Sequence, residues 1–474
     1  MKIAIIGGGV TGIAEAIYLA RNGHQVTLYE KQRILGGLAA WFNIAGRDVE
    51  RFYHFIMTSD KYYLDMLEEL GLSDQLNWVN TTTAFYHGGS VYPFSEPQDL
   101  LKFKPLSIWE RFRLATTLAY LTKLTRRWEP FEDVLACEWL PKYAGRKAWE
   151  VIFRPMLDMK FGVHRDRMSM AWLWARFNMV GQYREKGQTK EKRAWLKGSS
   201  RTFIEAAERE MLRLGVTIRK SVSIERIEVE DGRATGIVLD GEFEPFDKVV
   251  FSSTSVALRP MLPKETENDP YFRKIYDQKY YGVTCLVAAL KKPFNEYFWT
   301  YVSDPEIPFV GVINYADFTA WEGQPGHNVI YVPWYSETNE PPYTTDNETI
   351  IRDYIAGLKK VQPEFDESWI DEVIVGRDPN AAMVCAGRYS EQLVPLKTPI
   401  ENLVFANLSQ IYPQDRGISL GLKLARYAVR TIETGEDTPM DFSPLTGTDE
   451  IPVHSEAFHA ASPAPEEAEP APAR

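Results

Sequence analysis

Near its start the chain places Gly7-Gly8-Gly9-Val10-Thr11-Gly12 between an apolar run and a segment with helical spacing, and that order leaves few folds open. Ile3, Ala4, Ile5 and Ile6 have the unbroken apolar character of a buried parallel strand. Gly7 and Gly9 permit a tight turn and a close approach of backbone to a pyrophosphate, and Gly12 lets the next helix pack on the strand. That helix carries Ile13, Ala14, Ala16, Ile17, Leu19 and Ala20 on its inner side and stops near Asn22-Gly23, with its amide-rich start facing the phosphates. A second strand over 26–29 ends at Glu30, 18 residues after Gly12, near the interval of about 20 at which an acid meets a ribose hydroxyl. A carboxylate there repels a 2′-phosphate and disfavours NADP. The pattern predicts a dinucleotide site in which Val10, Thr11 and Lys31 join Gly7, Gly9, Gly12 and Glu30 as binding residues.

Leu35-Gly36-Gly37-Leu38 follows the acid. The whole segment resembles the extended fingerprint of FAD enzymes in the amine oxidase, protoporphyrinogen oxidase and phytoene desaturase superfamily. The resemblance runs through Gly7, Gly9, Gly12, Ala14, Ala16, Leu19, Gly23, Val26, Glu30, Gly36 and Gly37. It departs at Glu15, where a small residue is usual, and at Leu38, where many relatives carry arginine. It implies FAD, bound non-covalently, with Gly36, Gly37 and Leu38 near the pyrophosphate and ribityl chain.

Two later stretches resemble the same superfamily in the same order. The first spans 195–262: Trp195-Leu196-Lys197-Gly198-Ser199-Ser200, a helix over 202–214, a turn at Gly215, the segment 221–227, hairpin turns at Asp231-Gly232 and Asp240-Gly241, and a strand leading to Ser252-Ser253-Thr254. In relatives the residue matching Ile224 lies against the adenine and the strand before Ser253 completes the FAD domain, which makes Ile224 and Ser253 candidate FAD contacts. On their own these alternating apolar stretches also read as ordinary hairpin strands. The second is Asn402-Leu403-Val404-Phe405-Ala406-Asn407 followed by Tyr412-Pro413-Gln414-Asp415-Arg416-Gly417-Ile418, opening a helix over 418–433. A helix start favours negative charge, and the resemblance aims this one at the pyrimidine end of the flavin, with Asp415, Arg416, Gly417 and Ile418 as contacts.

Fingerprints at the start, middle and end predict an α/β fold with α+β insertions. A Rossmann-like FAD-binding domain of the glutathione-reductase type is expected from residues 1–59, 191–262 and 400–438. A mainly helical insertion is expected over 60–190, with helices at 62–70 and 108–127, the latter offering Trp109, Phe112, Leu118, Leu121 and Leu124 for burial. A substrate-binding domain with an antiparallel sheet is expected over 263–399, and a C-terminal extension over 439–474, disordered from 462 because that stretch lacks apolar anchors.

The 474 residues carry a formal net charge of −11, which argues against nucleic acid as a partner. Cys137, Cys285 and Cys385 form no metal motif and no disulfide framework, and a cytoplasmic setting is expected. No signal peptide, spanning helix or internal repeat is visible. Residues 101–130 run against the acidic whole, with Lys102, Lys104, Arg111, Arg113, Lys123, Arg126 and Arg127 opposed only by Glu110 and Glu129, a local +5. With Phe103, Leu106, Trp109 and Phe112 interleaved, this segment reads either as a solvated helix face or as a peripheral membrane contact. The oligomeric state has no sequence signal.

A flavin carries the hard chemistry, so the protein has to place a small-molecule substrate and tune the ring. His54 is expected beside the flavin and is a candidate for proton transfer, Lys160 for meeting an anionic substrate or a water, and Arg416 for touching flavin or substrate. Tyr389 and Tyr412 are candidate cavity walls, and Cys385 reads as a buried thiol. Two functions remain open: an FAD-dependent oxidoreductase removing a hydride equivalent from a C–N or C–C unit of a small or lipophilic substrate, or a redox-neutral sugar-nucleotide mutase. Asp415-Arg416-Gly417 and the loop around His54 resemble UDP-galactopyranose mutase. A non-catalytic flavin-binding protein is the third class.

Overall fold

The computed structural model describes residues 1–182, 191–316, 318–320, 326–445 and 451. Strand β1 (Lys2–Ile6) leads through the glycine turn into helix α1 (Val10–Arg21), and the chain returns in β2 (Gln25–Glu30). These belong to a five-stranded parallel sheet in the order Thr217–Lys220, β2, β1, Lys248–Phe251, Leu403–Phe405. The last helix, Ile418–Thr434, packs against α1. Gly421 makes that contact close, because a Cβ there would stand 3.0 Å from Val10 Cγ2 and 3.1 Å from Thr11 Oγ1.

A seven-stranded sheet forms the second layer, in the order Ile370–Met383, Tyr280–Leu290, Val329–Ser336, Gly311–Asn314, Trp299–Val302, Thr83–His87, Ser90–Pro93. It is antiparallel except that Trp299–Val302 runs parallel to Thr83–His87. Two of its strands therefore come from the stretch expected to be mainly helical. Thr83-Ala84-Phe85-Tyr86-His87 is rich in the branched and aromatic residues that suit a pleated surface. Leu76–Thr81 is likewise a strand, paired with Glu191–Leu196. Helices dominate from residue 97 onward, through Ile108–Ala119 and Met170–Gln182.

The helix Ile108–Ala119 is turned differently from the expectation. Leu114, Thr117 and Leu121 face the core, whereas Trp109, Phe112 and Leu124 are exposed. Spacing of three and seven residues puts the first set on one stripe, and Trp109 and Phe112 fall on the opposite face. Both hairpin turns are in place, with Asp231-Gly232 and Asp240-Gly241 at positive φ. The segment 221–225 is a loop, with Ser221 in the left-handed region, and strands lie to either side of it at Thr217–Lys220 and Arg226–Glu230. The expected disorder from 462 falls outside the described residues.

Candidate flavin and substrate site

The site begins at the glycine turn. Gly7 has φ +118°, and a Cβ on Gly12 would come within 2.0 Å of the Gly7 carbonyl oxygen, so both positions need glycine for the turn to close on the helix. Gly9 caps α1 without any side-chain bond, no acid occupies the first turn, and a Cβ on Gly9 would meet nothing within 4 Å. That leaves an open, anion-favouring helix start bordered by Val10 and Thr11. The second glycine pair folds onto the first: Gly36 N–H donates to the Gly8 carbonyl (2.8 Å), and a Cβ on Gly37 would sit 3.4 Å from Gly9 Cα. Leu38 follows, half-buried. Glu30 accepts the Gly8 amide (2.7 Å) on one oxygen and the Gln32 amide (2.7 Å) on the other, which fixes its carboxylate at the lip of the turn, with Lys31 exposed next to it.

Residues from distant parts of the chain complete the rim. Val222 N–H donates to the Glu30 carbonyl (3.2 Å), bringing the buried Ile224 beside the end of β2. Ser253 lies across from Gly7, where a Cβ would come within 3.0 Å of its amide nitrogen, and its carbonyl accepts from Asn407. Gly417 caps the last helix without a side-chain bond, so that helix, starting at Ile418, also presents free amides, and Gly421 holds it one turn from Val10 and Thr11. Two open helix starts thus lie side by side. A dinucleotide fits this cradle: bare glycine backbone lies next to uncapped amides, and a carboxylate stands at the ribose distance along the chain.

Charged groups gather at the far end of the last helix's entry loop. Lys160 Nζ pairs with Asp415 (2.9 Å) and lies 5.9 Å from the Tyr335 ring. Arg416 lies 3.9 Å from Asp415 and donates to the Ala381 carbonyl. Burial pushes Lys160 down, with Asp415 opposing the shift. Burial likewise pulls Arg416 down, but Asp415 together with Tyr281, Tyr335 and Cys385 more than restores it. Asp415 ends below the usual carboxylate range because Lys160 and Arg416 outweigh its burial. Arg176 adds a third cation within electrostatic reach.

His54 joins the same group. Its Nδ1–H donates to the Phe52 carbonyl (2.6 Å), and since a carbonyl only accepts, the lone pair is left on Nε2. Burial, reinforced by Arg416 and Lys160, lowers its pKa to about 4. Its own carbonyl is held by the Tyr315 hydroxyl (2.6 Å). A cavity beside it is lined by Glu50, Tyr63, Trp195, Ser200 and Ile418. The neutral His54 thus lies within electrostatic reach of Lys160 and Arg416, which both meet Asp415.

The other candidates sit at the margin. The Tyr389 hydroxyl donates to the Ser409 carbonyl (2.8 Å), and its ring packs on Tyr412, which in turn meets Trp128. Cys385 is a free buried thiol whose pKa burial pushes up to about 12.

Two features carried no signal in the sequence, and a third carried only part of one. Tyr53 and Tyr335 come within electrostatic reach of each other, and burial raises both hydroxyls. Glu50 is buried and accepts from Trp195 Nε1 (3.1 Å) and the Ser200 amide (3.2 Å), which leaves burial still able to raise it to about 7. Glu15 is wholly buried within α1, bonded to Ser252 Oγ at 2.5 Å and raised by burial to about 8. Only the departure at Glu15 was visible, without its partner 237 positions away.

The sequence model of the family described as flavin containing amine oxidoreductase matches residues 10–413. The chain belongs to that family. Membership of that family implies a flavin cofactor, and the fold is mixed α/β. The chain is 25% identical to 15-cis-phytoene desaturase of Arabidopsis thaliana over 303 residues, 58% of this chain and 51% of the relative. To the Solanum lycopersicum desaturase it is 27% identical over 315 residues, 60% of this chain and 52% of the relative. It spans about half the length of the curated relatives it matches. Among solved structures, putrescine oxidase bound to putrescine superposes with TM-score 0.68 at 15% identity, covering 91% of this chain and 99% of that one. Reduced UDP-galactopyranose mutase gives 0.70 at 15%, covering 94% and 97%. At such identities the likeness is one of fold. Among the described residues no helix is long and apolar enough to cross a membrane, and no cluster of three or more His, Cys, Asp or Glu could hold a metal ion.

Proposed function

We propose that this chain is an FAD-dependent oxidoreductase that removes a hydride equivalent from a C–N or C–C unit of a small or lipophilic substrate. FAD is held non-covalently in a nucleotide domain of the glutathione-reductase type formed by residues 1–59, 191–262 and 400–438, with 60–190 and 263–399 supplying the substrate side. The observation that carries the reading is the meeting of His54, Lys160, Asp415 and Arg416 at the entry to the last helix, one turn from the glycine cradle.

When bound, the flavin supplies a hydride-accepting ring. The residues of this chain do the rest. Gly7, Gly9, Gly12, Gly36 and Gly37 let the backbone approach the pyrophosphate, Glu30 holds the ribose end, and Ile224 and Ser253 border the adenine side. Arg416 and the free amides after Gly417 place positive potential where negative charge grows on reduction. Lys160, tied to Asp415, presents its ammonium to an anionic part of the substrate or to a water. His54 stays neutral at pH 7, so Nε2 accepts a hydrogen bond or a proton there without adding a standing charge.

The test is anaerobic mixing of the FAD-loaded protein with amines and with lipophilic polyene or porphyrinogen donors, following the flavin's visible absorbance. Bleaching by one donor class, reversed on admitting an acceptor, is the expected result. Protein that stays colourless with excess FAD sinks the reading. Turnover of a sugar nucleotide only after prior reduction, with no net electron flow, replaces it with the mutase.

A further inference from the structure

Six large apolar side chains within 24 residues are turned to solvent: Leu101 (71% exposed), Ile108 (82%), Trp109 (68%), Phe112 (59%), Tyr120 (44%) and Leu124 (75%). Ile108, Trp109 and Phe112 form the back of the helix whose front, Leu114 and Thr117, is buried, while Leu101 sits on the short helix before it and Tyr120 and Leu124 on the segment that continues it. Trp109 and Phe112 stack on each other at 5.8 Å. Farther along, Tyr120 stacks on Trp139, and Trp139 packs on the exposed Tyr143, so the apolar strip continues onto the helix Ala136–Tyr143. Clustered exposure of this kind marks a contact surface in a soluble fold.

The rim is basic. Lys102, Lys104, Lys123, Arg126 and Arg127 are exposed around the strip, and among the described residues only Arg127 of the seven bases is in an ion pair, with Glu129 (3.3 Å). Arg111 and Arg113 spend their donors on backbone carbonyls of residues 101, 106, 142 and 143, which fixes the helix without cancelling charge. A +5 surface on a −11 chain attracts an anionic partner, and exposed Trp and Phe flanked by Lys and Arg suit the boundary between headgroups and acyl chains.

We propose that the strip from Leu101 to Leu124 is a docking face for an anionic lipid bilayer, with Ile108, Trp109, Phe112 and Leu124 entering the interface and the five exposed bases meeting the headgroups. On its inner side the same wall carries Phe103 and Phe85, and Phe85 stacks on Tyr301 of the large sheet at 5.0 Å. Docking therefore sets the substrate-side layer against the lipid. The proposal does not depend on the flavin chemistry.

Full-length protein is sedimented with phosphatidylcholine vesicles containing phosphatidylglycerol and with phosphatidylcholine vesicles alone. The expected result is pelleting with the anionic vesicles at low salt and release at high salt. Lys123→Gln and Arg126→Gln should each lower the partition coefficient about fivefold, the equivalent of roughly 1 kcal/mol per base. Trp109→Ser with Phe112→Ser should abolish pelleting while flavin content and melting temperature stay as in the wild type, since both side chains are already in solvent. Protein that stays in the supernatant with anionic vesicles overturns the proposal, as does equal pelleting with both vesicle types. A doubled mass in light scattering that the Trp109/Phe112 variant removes, without vesicle binding, reassigns the face to a second copy of the chain.

Discussion

Glu15 titrates inside a helix that normally offers no ionisable group to the nucleotide turn. An unfolded glutamate loses its proton near 4.5, whereas folded Glu15 keeps it to about 8, so the folded state binds the extra proton between those values. Its contribution to stability is complete below 4.5 and drains as the pH rises towards 8. Glu15→Gln keeps a partner for Ser252 and removes the titration. It should therefore raise stability at pH 8 by roughly 2–4 kcal/mol, with the gain vanishing near pH 4.5 in paired urea melts.

His54 has the opposite sign, because its folded pKa lies at about 4 against 6.5 when unfolded. Stability is lost as the pH falls from 6.5 towards 4, and His54→Gln should flatten that part of the profile. Asp415→Asn leaves Lys160 and Arg416 buried beside a neutral amide. A loss of roughly 3–5 kcal/mol is expected, partly recovered by adding Lys160→Met, and denaturant titration of the single and double variants checks it.

At the scale of elements, the glycine turn is the least forgiving joint. Gly12→Ala puts a methyl group 2.0 Å from the Gly7 carbonyl, so α1 must move off β1. The variant should lose roughly 1–3 kcal/mol and purify with little flavin, read from the ratio of visible to ultraviolet absorbance. This joint was legible in the sequence because only glycine meets its geometry, and Asp231-Gly232 and Asp240-Gly241 were legible for a similar reason.

The face of the helix Ile108–Ala119 was not. Its sequence holds two apolar stripes, and which one turns inward depends on where the neighbouring helices lie. The strand at Leu76–Thr81 was missed because its partner, Glu191–Leu196, is more than a hundred residues away; Thr83–His87 pairs with the equally distant Trp299–Val302 on one side, but on the other it forms a local hairpin with Ser90–Pro93 through Gly88-Gly89, a turn signal the sequence did carry. The same distance hid Tyr335 and Glu50, whose surroundings come from several separate segments. His54, Lys160, Asp415 and Arg416 were readable as chemistry but not as neighbours. Their meeting depends on a helical segment, a loop after the second glycine pair and the last helix all closing on one point.

On the scale of the whole molecule, residues near 7, 30, 224, 253 and 417 border one cradle, so its ligand should bind the folded chain and have no site on the unfolded one. Saturation at a hundred times the dissociation constant then adds about 2.7 kcal/mol. Release of flavin fluorescence on heating should coincide with loss of far-ultraviolet circular dichroism, and both midpoints should rise together with added FAD. A flavin signal released well before the backbone melts would show a cradle that opens on its own.

β1 lies in the middle of the parallel sheet, and its neighbour on one side is Lys248–Phe251, beyond which Leu403–Phe405 forms the edge. During synthesis β1 therefore waits with one flank bare while more than two hundred residues are added. The sheet closes only after the edge strand has emerged. A nascent chain of this protein is thus a poor catcher of nucleotide for most of its elongation, and a chaperone that shields Ile3 to Ile6 would act on it early.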